Sequence, residues 1–117
     1  MCKLFINADA HLWDSSSRSL RIDGMVTSVR LENYFWNTLE EIAQRDAMNV
    51  PQLITRLYHE SIDAGHDLGN FTSFLRVCGM RYLALQLKGE IPSKTDVAIA
   101  SLDAEQILAR EEARDLH

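Results

Sequence analysis

The chain has 117 residues, 46% of them hydrophobic and 25% charged, with a net charge of −5; these proportions suit one soluble globular domain with an appendage. No apolar run approaches the roughly 18 residues of a membrane span, and "MCKLFINADAHLW", with one lysine and an apolar run of three, does not read as a secretory signal. The expected compartment is the cytoplasm, and Cys2 and Cys78 outline no disulfide framework.

Taken in chain order, "KLFIN" at 3–7 predicts a short strand and "ADAHLWDSSS" a polar connection. "RSLRID" at 18–23 alternates, with Leu20 and Ile22 on one side and Arg21 and Asp23 on the other, until Gly24 breaks the pattern. Residues 1–24 therefore read as a β-rich extension. Residues 25–31 alternate again: Thr27, Val29 and Leu31 face one way, and Val26, Ser28 and Arg30 the other.

From Asn33 the period becomes helical, and Phe35, Leu39, Ile42 and Ala43 make one apolar face that Trp36 widens. This helix is expected to end near Asp46. Asn49 caps a second helix, Pro51 fits its first turn, and Gly65 stops it. Val50, Leu53, Ile54, Leu57, Tyr58 and Ile62 are its apolar side. A third helix over 71–87 follows Asn70 and is apolar nearly all round, so it is buried on two sides or is a partner surface. Gly89, Pro92 and Ser93 mark a linker, and 103–115 predicts a polar helix capped by Asp103, with Ile107, Leu108 and Leu116 as its anchors. That tail is expected to fray or to dock on a partner.

The charge is unevenly spread. Residues 1–65 carry six Lys/Arg against nine Asp/Glu, residues 66–88 three against one, and residues 89–117 three against seven. Between Arg18 and Arg30 there are three arginines and one acid, Asp23. A negative total slows encounter with nucleic acid but leaves room for a local positive face.

Enzyme chemistry has no foothold in the pattern. Ser15-Ser16-Ser17 has no nucleophile elbow around it, and there is no P-loop or glycine-rich phosphate loop. His11, His59, His66 and His117 lack metal-ligand spacing, so neither a metal nor another cofactor is expected.

A strand running straight into two helices of about 14 residues cannot bury a core alone. Pairing with the same strand of a second copy is the simplest remedy. "TSVRLENYFWNTLEEIAQRDAMNVPQLITRLYHES" resembles a ribbon-helix-helix domain of the MetJ/Arc type, and 26–86 is similar to a group of short bacterial proteins of that class. The resemblance implies a mainly α homodimer with an intermolecular antiparallel ribbon, in four parts: extension 1–24, ribbon-helix-helix 25–65, third helix 66–88, and linker with tail 89–117. Its dimer core would hold Thr27, Val29, Leu31, Phe35, Trp36, Leu39, Ile42, Leu53 and Leu57.

The same resemblance implies a regulator, most simply a repressor, that lies in the major groove of double-stranded DNA and reads bases with Val26, Ser28 and Arg30. Asn49, Val50 and Gln52 would hold a phosphate at the second helix's N-terminus. By their own placement Arg18 and Arg21 fit further phosphate contacts or, slightly better, the wet side of a hairpin. Arg76 and Arg81 are expected to bond acids such as Asp67 or Glu60. Three residues depart from the family pattern: Val26 in place of a polar reader, Pro51 in the phosphate turn, and Ala47 where the turn favours glycine. Val26 and Pro51, with the net charge and the apolar third helix, motivate an alternative, a dimerisation or protein-interaction module of antitoxin or adaptor type. In either case 71–87 and the tail are the expected route to a higher oligomer or a protein partner.

Overall fold

A computed structural model describes residues 2–67 and 69–115. A short helix, α1 (Cys2–Ile6), and a 3-10 turn (Ala10–Trp13) lead into β1 (Ser15–Ile22) and β2 (Met25–Glu32). The helices α2 (Asn33–Arg45), α3 (Val50–Asp63) and α4 (Phe71–Leu87) follow, then a second 3-10 turn (Ile99–Ser101) and α5 (Ala104–Asp115).

The start of the chain corrects the strand predicted over 3–7. Leu4, Phe5 and Ile6 form an unbroken apolar triple, a pattern equally open to helix and strand. Among the described residues the one sheet is β1-β2, and this backbone bonds to itself instead, as Asn7 N–H does to the Lys3 carbonyl at 3.1 Å. The serines at 15–17 lie not in a connection but in β1, which starts at Ser15.

β1 and β2 form an antiparallel hairpin within the chain, with Ile22 opposite Met25 and Ser15 opposite Glu32. Asp23 and Gly24 are its two-residue loop, with φ of +52° and +81°, the left-handed pair that a type I′ turn requires. The pattern of β2 alone predicts a strand with two open edges. One of them is closed by β1, and the ribbon in this single chain is intramolecular.

One face of the hairpin is core. Leu20, Ile22, Val29 and Leu31 pack with Trp36, Leu39, Ala43, Val50, Leu53, Ile54 and Leu75. Phe35, Ile42 and Leu57 pack half-buried against this cluster, whereas Thr27 is exposed in the single chain. Trp36 joins the layers: its indole N–H donates to the Ser16 carbonyl at 2.9 Å. The Arg18 guanidinium lies 4.4 Å from the Trp36 ring and bonds Glu40 at 3.1 Å. Arg18 therefore belongs to the inner side.

α2 closes on Ala47, at φ +56°, with Met48 N–H donating to the Ala43 carbonyl at 2.9 Å. α3 stops at Gly65, at φ +80°. α4 has the predicted bounds, but only its Leu75, Gly79 and Tyr82 side is buried; Val77, Met80 and Leu87 are exposed. The ion pairs expected with Asp67 or Glu60 form elsewhere. Arg76 bonds Glu32 at 2.9 Å and Arg81 bonds Glu111 at 2.9 Å, because each acid lies on the element packed beside α4.

The tail docks on its own chain. Arg110 and Arg114 share Glu90, at 2.5 and 3.3 Å, and Ile107 is buried. Asp103 caps α5 through the Gln106 N–H at 3.1 Å. Leu116 and His117, named above, lie outside the described residues.

Candidate nucleic-acid interface

Strand alternation divides the hairpin cleanly. Opposite the core face stand Ser15, Ser17, Ser19 and Arg21 of β1, and Val26, Ser28, Arg30 and Glu32 of β2. All but the half-buried Glu32 are exposed. Across the strands, Ser17 faces Arg30, Ser19 faces Ser28, and Arg21 faces Val26. The three residues expected to read bases thus share one open face, and β1 doubles it with serines that alternation in β2 alone does not place there. A local signal for them exists: Asp23-Gly24 between two alternating runs is a strong hairpin cue.

The hydrogen-bond phase gives β2 a free edge. Asn33 N–H donates to the Asp14 carbonyl at 2.8 Å, continuing the ladder past Ser15 and Glu32. Bonded and non-bonded pairs alternate in an antiparallel ladder. The N–H and C=O groups of Val26, Ser28 and Arg30 therefore point away from β1, open to another strand.

The electrostatics of this face are more favourable than the net charge suggests. Arg18, Arg76, Arg81, Arg110 and Arg114 are held by carboxylates, and Arg45 is buried among carbonyl oxygens. Among the described residues, Lys3, Arg21, Arg30, Arg56, Lys88 and Lys94 lie in no ion pair. Two of these six occupy the outward face. Its one acid, Glu32, is bound by Arg76, whose hydrogen bond holds the carboxyl below its ordinary value of 4.5.

The start of α3 is more self-contained. The Asn49 side chain accepts from Gln52 N–H, and the Gln52 side chain accepts from Asn49 N–H, both at 2.9 Å. Pro51 has no N–H, so Val50 N–H is that turn's remaining backbone donor. Beside it, Arg21, Pro51, Gln52, Thr55, Arg56 and His59 line an open hollow. His59, which lines that hollow, bonds Asp23 of the hairpin loop at 2.8 Å.

Burial pushes the Cys78 thiol up to about 11, which keeps it protonated. No group of three or more His, Cys, Asp or Glu suited to a metal occurs among the described residues. No helix among them is long and apolar enough to cross a membrane.

A family model described as "Ribbon-helix-helix domain" matches residues 15–83, which span both strands and reach into α4. None of the curated proteins matches the chain. Among solved structures, it is similar to an uncharacterized protein from Bordetella pertussis Tohama I, at 53% identity and a TM-score of 0.88, over 92% of this chain and 86% of that one. The family match covers more than half the chain and takes in the hairpin and the two helices that carry the outward face. The chain belongs to the ribbon-helix-helix domain family, whose members generally dimerise and bind DNA.

Proposed function

We propose that this protein is a homodimeric, sequence-specific DNA-binding regulator, most simply a repressor, acting in the cytoplasm on nucleoid DNA. The observation that carries this reading is the uncovered outward face of β2, with Ser28 and Arg30 flanked by no unpaired acid among the described residues. Two copies would pair along the free edge of β2 and bury Thr27. Arg30 would give its two hydrogen bonds to guanine O6 and N7, Ser28 would bond several base edges, and Val26 would touch a thymine methyl. Val50 N–H, with Asn49 and Gln52 shaping the turn, would add an anion site at the positive end of α3.

The test is binding to fragments of the protein's own promoter and of the surrounding genome at moderate salt. Arg30→Ala is expected to lose about 1–3 kcal/mol per half-site and to relax base preference at one position. Equal binding by that variant sinks the reader assignment.

One observation favours a second reading, a dimerisation or protein-interaction module of antitoxin or adaptor type. α4 leaves Val77 and Met80 exposed, and Met80 shares a hollow with Leu4, Phe5 and Trp13, which are exposed too. On this reading the dimer retains no promoter fragment, and a chain ending at Gln86 differs from the full chain in its assembly state on gel filtration.

A further inference from the structure

We infer that β1 is the phosphate-contacting strand of the DNA-bound dimer: Ser17, Ser19 and Arg21, with Arg56 beside Arg21, hold the sugar–phosphate walls while β2 reads the bases. This inference rests on the DNA-binding reading above and assigns the two strands of its site separate tasks.

The division follows from width. β2 is closed on one side by β1 and open on the other, at Val26, Ser28 and Arg30. Pairing of two copies there, centred on Ser28, yields a four-stranded sheet in the order β1-β2-β2-β1. Strands lie about 4.8 Å apart, so the two β1 strands are about 14 Å apart, whereas the major groove is about 12 Å wide and admits two strands. The central β2 pair enters the groove. The two β1 strands ride on its rims, where the phosphates are.

The chemistry of β1 matches that position. Its outward residues Ser17, Ser19 and Arg21 are exposed, and serine hydroxyls with an arginine are a phosphate-contacting set. Small side chains also let a strand backbone approach the ridge closely. Arg21 shares its hollow with Arg56, and neither lies in an ion pair among the described residues. The acid at that end of the hairpin, Asp23, is already bonded to His59. The start of α3 spends most of its donors on its own capping box, so the Arg21–Arg56 hollow is the better placed cation pair for the phosphate.

The experiment uses the full chain and two labelled duplexes, one enriched by the wild-type protein from a random pool and one of the same length with scrambled sequence. Affinities are measured over a salt series for wild type, Arg21→Ala, Arg56→Ala, Ser17→Ala with Ser19→Ala, Arg21→Lys and Arg30→Ala, each with a thermal melt to show that it folds. The binding constant varies with salt by about 0.9 logarithmic units per phosphate contact. Each arginine-to-alanine change removes two contacts per dimer. Arg21→Ala and Arg56→Ala are therefore expected to lower the salt slope by about 2 each, and to weaken both duplexes by the same factor. The serine pair weakens both duplexes without altering base preference, Arg21→Lys keeps the wild-type slope, and Arg30→Ala alone changes base preference. An unchanged slope in Arg21→Ala and Arg56→Ala overturns the inference and leaves the DNA reading standing. A changed base preference in Arg21→Ala overturns it too, because β1 is then a reader. Wild-type protein that binds neither duplex overturns the underlying reading as well.

Discussion

Arg45, at the end of α2, donates through Nη1 to the carbonyl of Pro92 at 2.8 Å, across 47 residues of sequence. The same guanidinium reaches the Val97 and Lys94 carbonyls, both at 2.9 Å, and the Tyr82 hydroxyl at 3.2 Å. Next to it, the Asp46 carboxylate accepts from Ile99 N–H at 2.6 Å and from Ala100 N–H at 3.1 Å. Two adjacent residues thus fasten the linker to the helical core. Tyr82 completes the arrangement by donating to Glu41 at 2.5 Å; burial first, and that carboxylate second, hold its hydroxyl above the ordinary range.

Arg45→Ala strips four acceptors of one buried donor group. The expected cost is about 3 kcal/mol, in the range for breaking a buried polar network. Denaturant unfolding measures it. Limited proteolysis of the same variant is expected to cut first between residues 92 and 100, ahead of any cleavage in α2 or α3. A variant with wild-type stability and wild-type cleavage would remove Arg45 from this role.

Much of this fold is legible in local pattern, because apolar period and capping residues act over a few positions. Asn49, Asn70 and Asp103 cap the helices they are expected to cap, and the outward set Val26, Ser28 and Arg30 follows from alternation alone. What local pattern does not carry is long-range. The burial of Arg45 among linker carbonyls has no local signature, since an arginine in a last helical turn ordinarily faces water. Arg76 and Arg81 bond Glu32 and Glu111 because packing puts those acids beside α4, a fact that spacing cannot supply. The hairpin escapes for a different reason: Gly24 reads as a breaker when, after Asp23, it is the second half of a turn. With that turn, Ser17 and Ser19 join the outward face.

Ala47 carries φ +56° without being glycine. A left-handed non-glycine residue costs about 1–2 kcal/mol, part of which glycine returns to the unfolded chain as entropy. Ala47→Gly is therefore expected to stabilise the protein by up to about 1 kcal/mol, and Ala47→Val, with a branched Cβ, to destabilise it. Chemical denaturation of the two variants decides the matter. A loss of stability in Ala47→Gly would mean that the strain here is smaller than the entropy it saves.

Acid should release the tail before it unfolds the core. Arg110, ahead of Arg114, holds the Glu90 carboxyl below its ordinary value of 4.5, and Arg81 does the same for Glu111. Both are depressed carboxylates, so their contribution is complete above the unfolded value and is lost as pH falls through the folded one. Hydrogen exchange at decreasing pH is expected to show α5 opening below about pH 4.5 while α2 and α3 stay protected. High salt at neutral pH should act in the same direction, because these pairs are at the surface. Opening of all helices together would show that the ion pairs do not set the tail's stability.

Arg76 serves the outward face although it lies on α4. Its Nε bonds Glu32 Oε1 at 2.9 Å and its Nη2 bonds Oε2 at 3.4 Å, and Glu32 is two residues from Arg30 on the same side of β2. Arg76→Ala leaves that carboxylate unpaired two residues from Arg30, the arginine proposed to read bases. Its pKa should rise toward the ordinary value, and the negative charge should compete with DNA for Arg30. Weaker binding is therefore expected, and Glu32→Gln in the same protein should restore it, since the neutral amide competes with nothing. Binding titrations of the single and double variants, beside an NMR titration of the Glu32 carboxyl, check both halves. If the double variant binds no better than Arg76→Ala, Arg76 acts on binding by another route than masking Glu32.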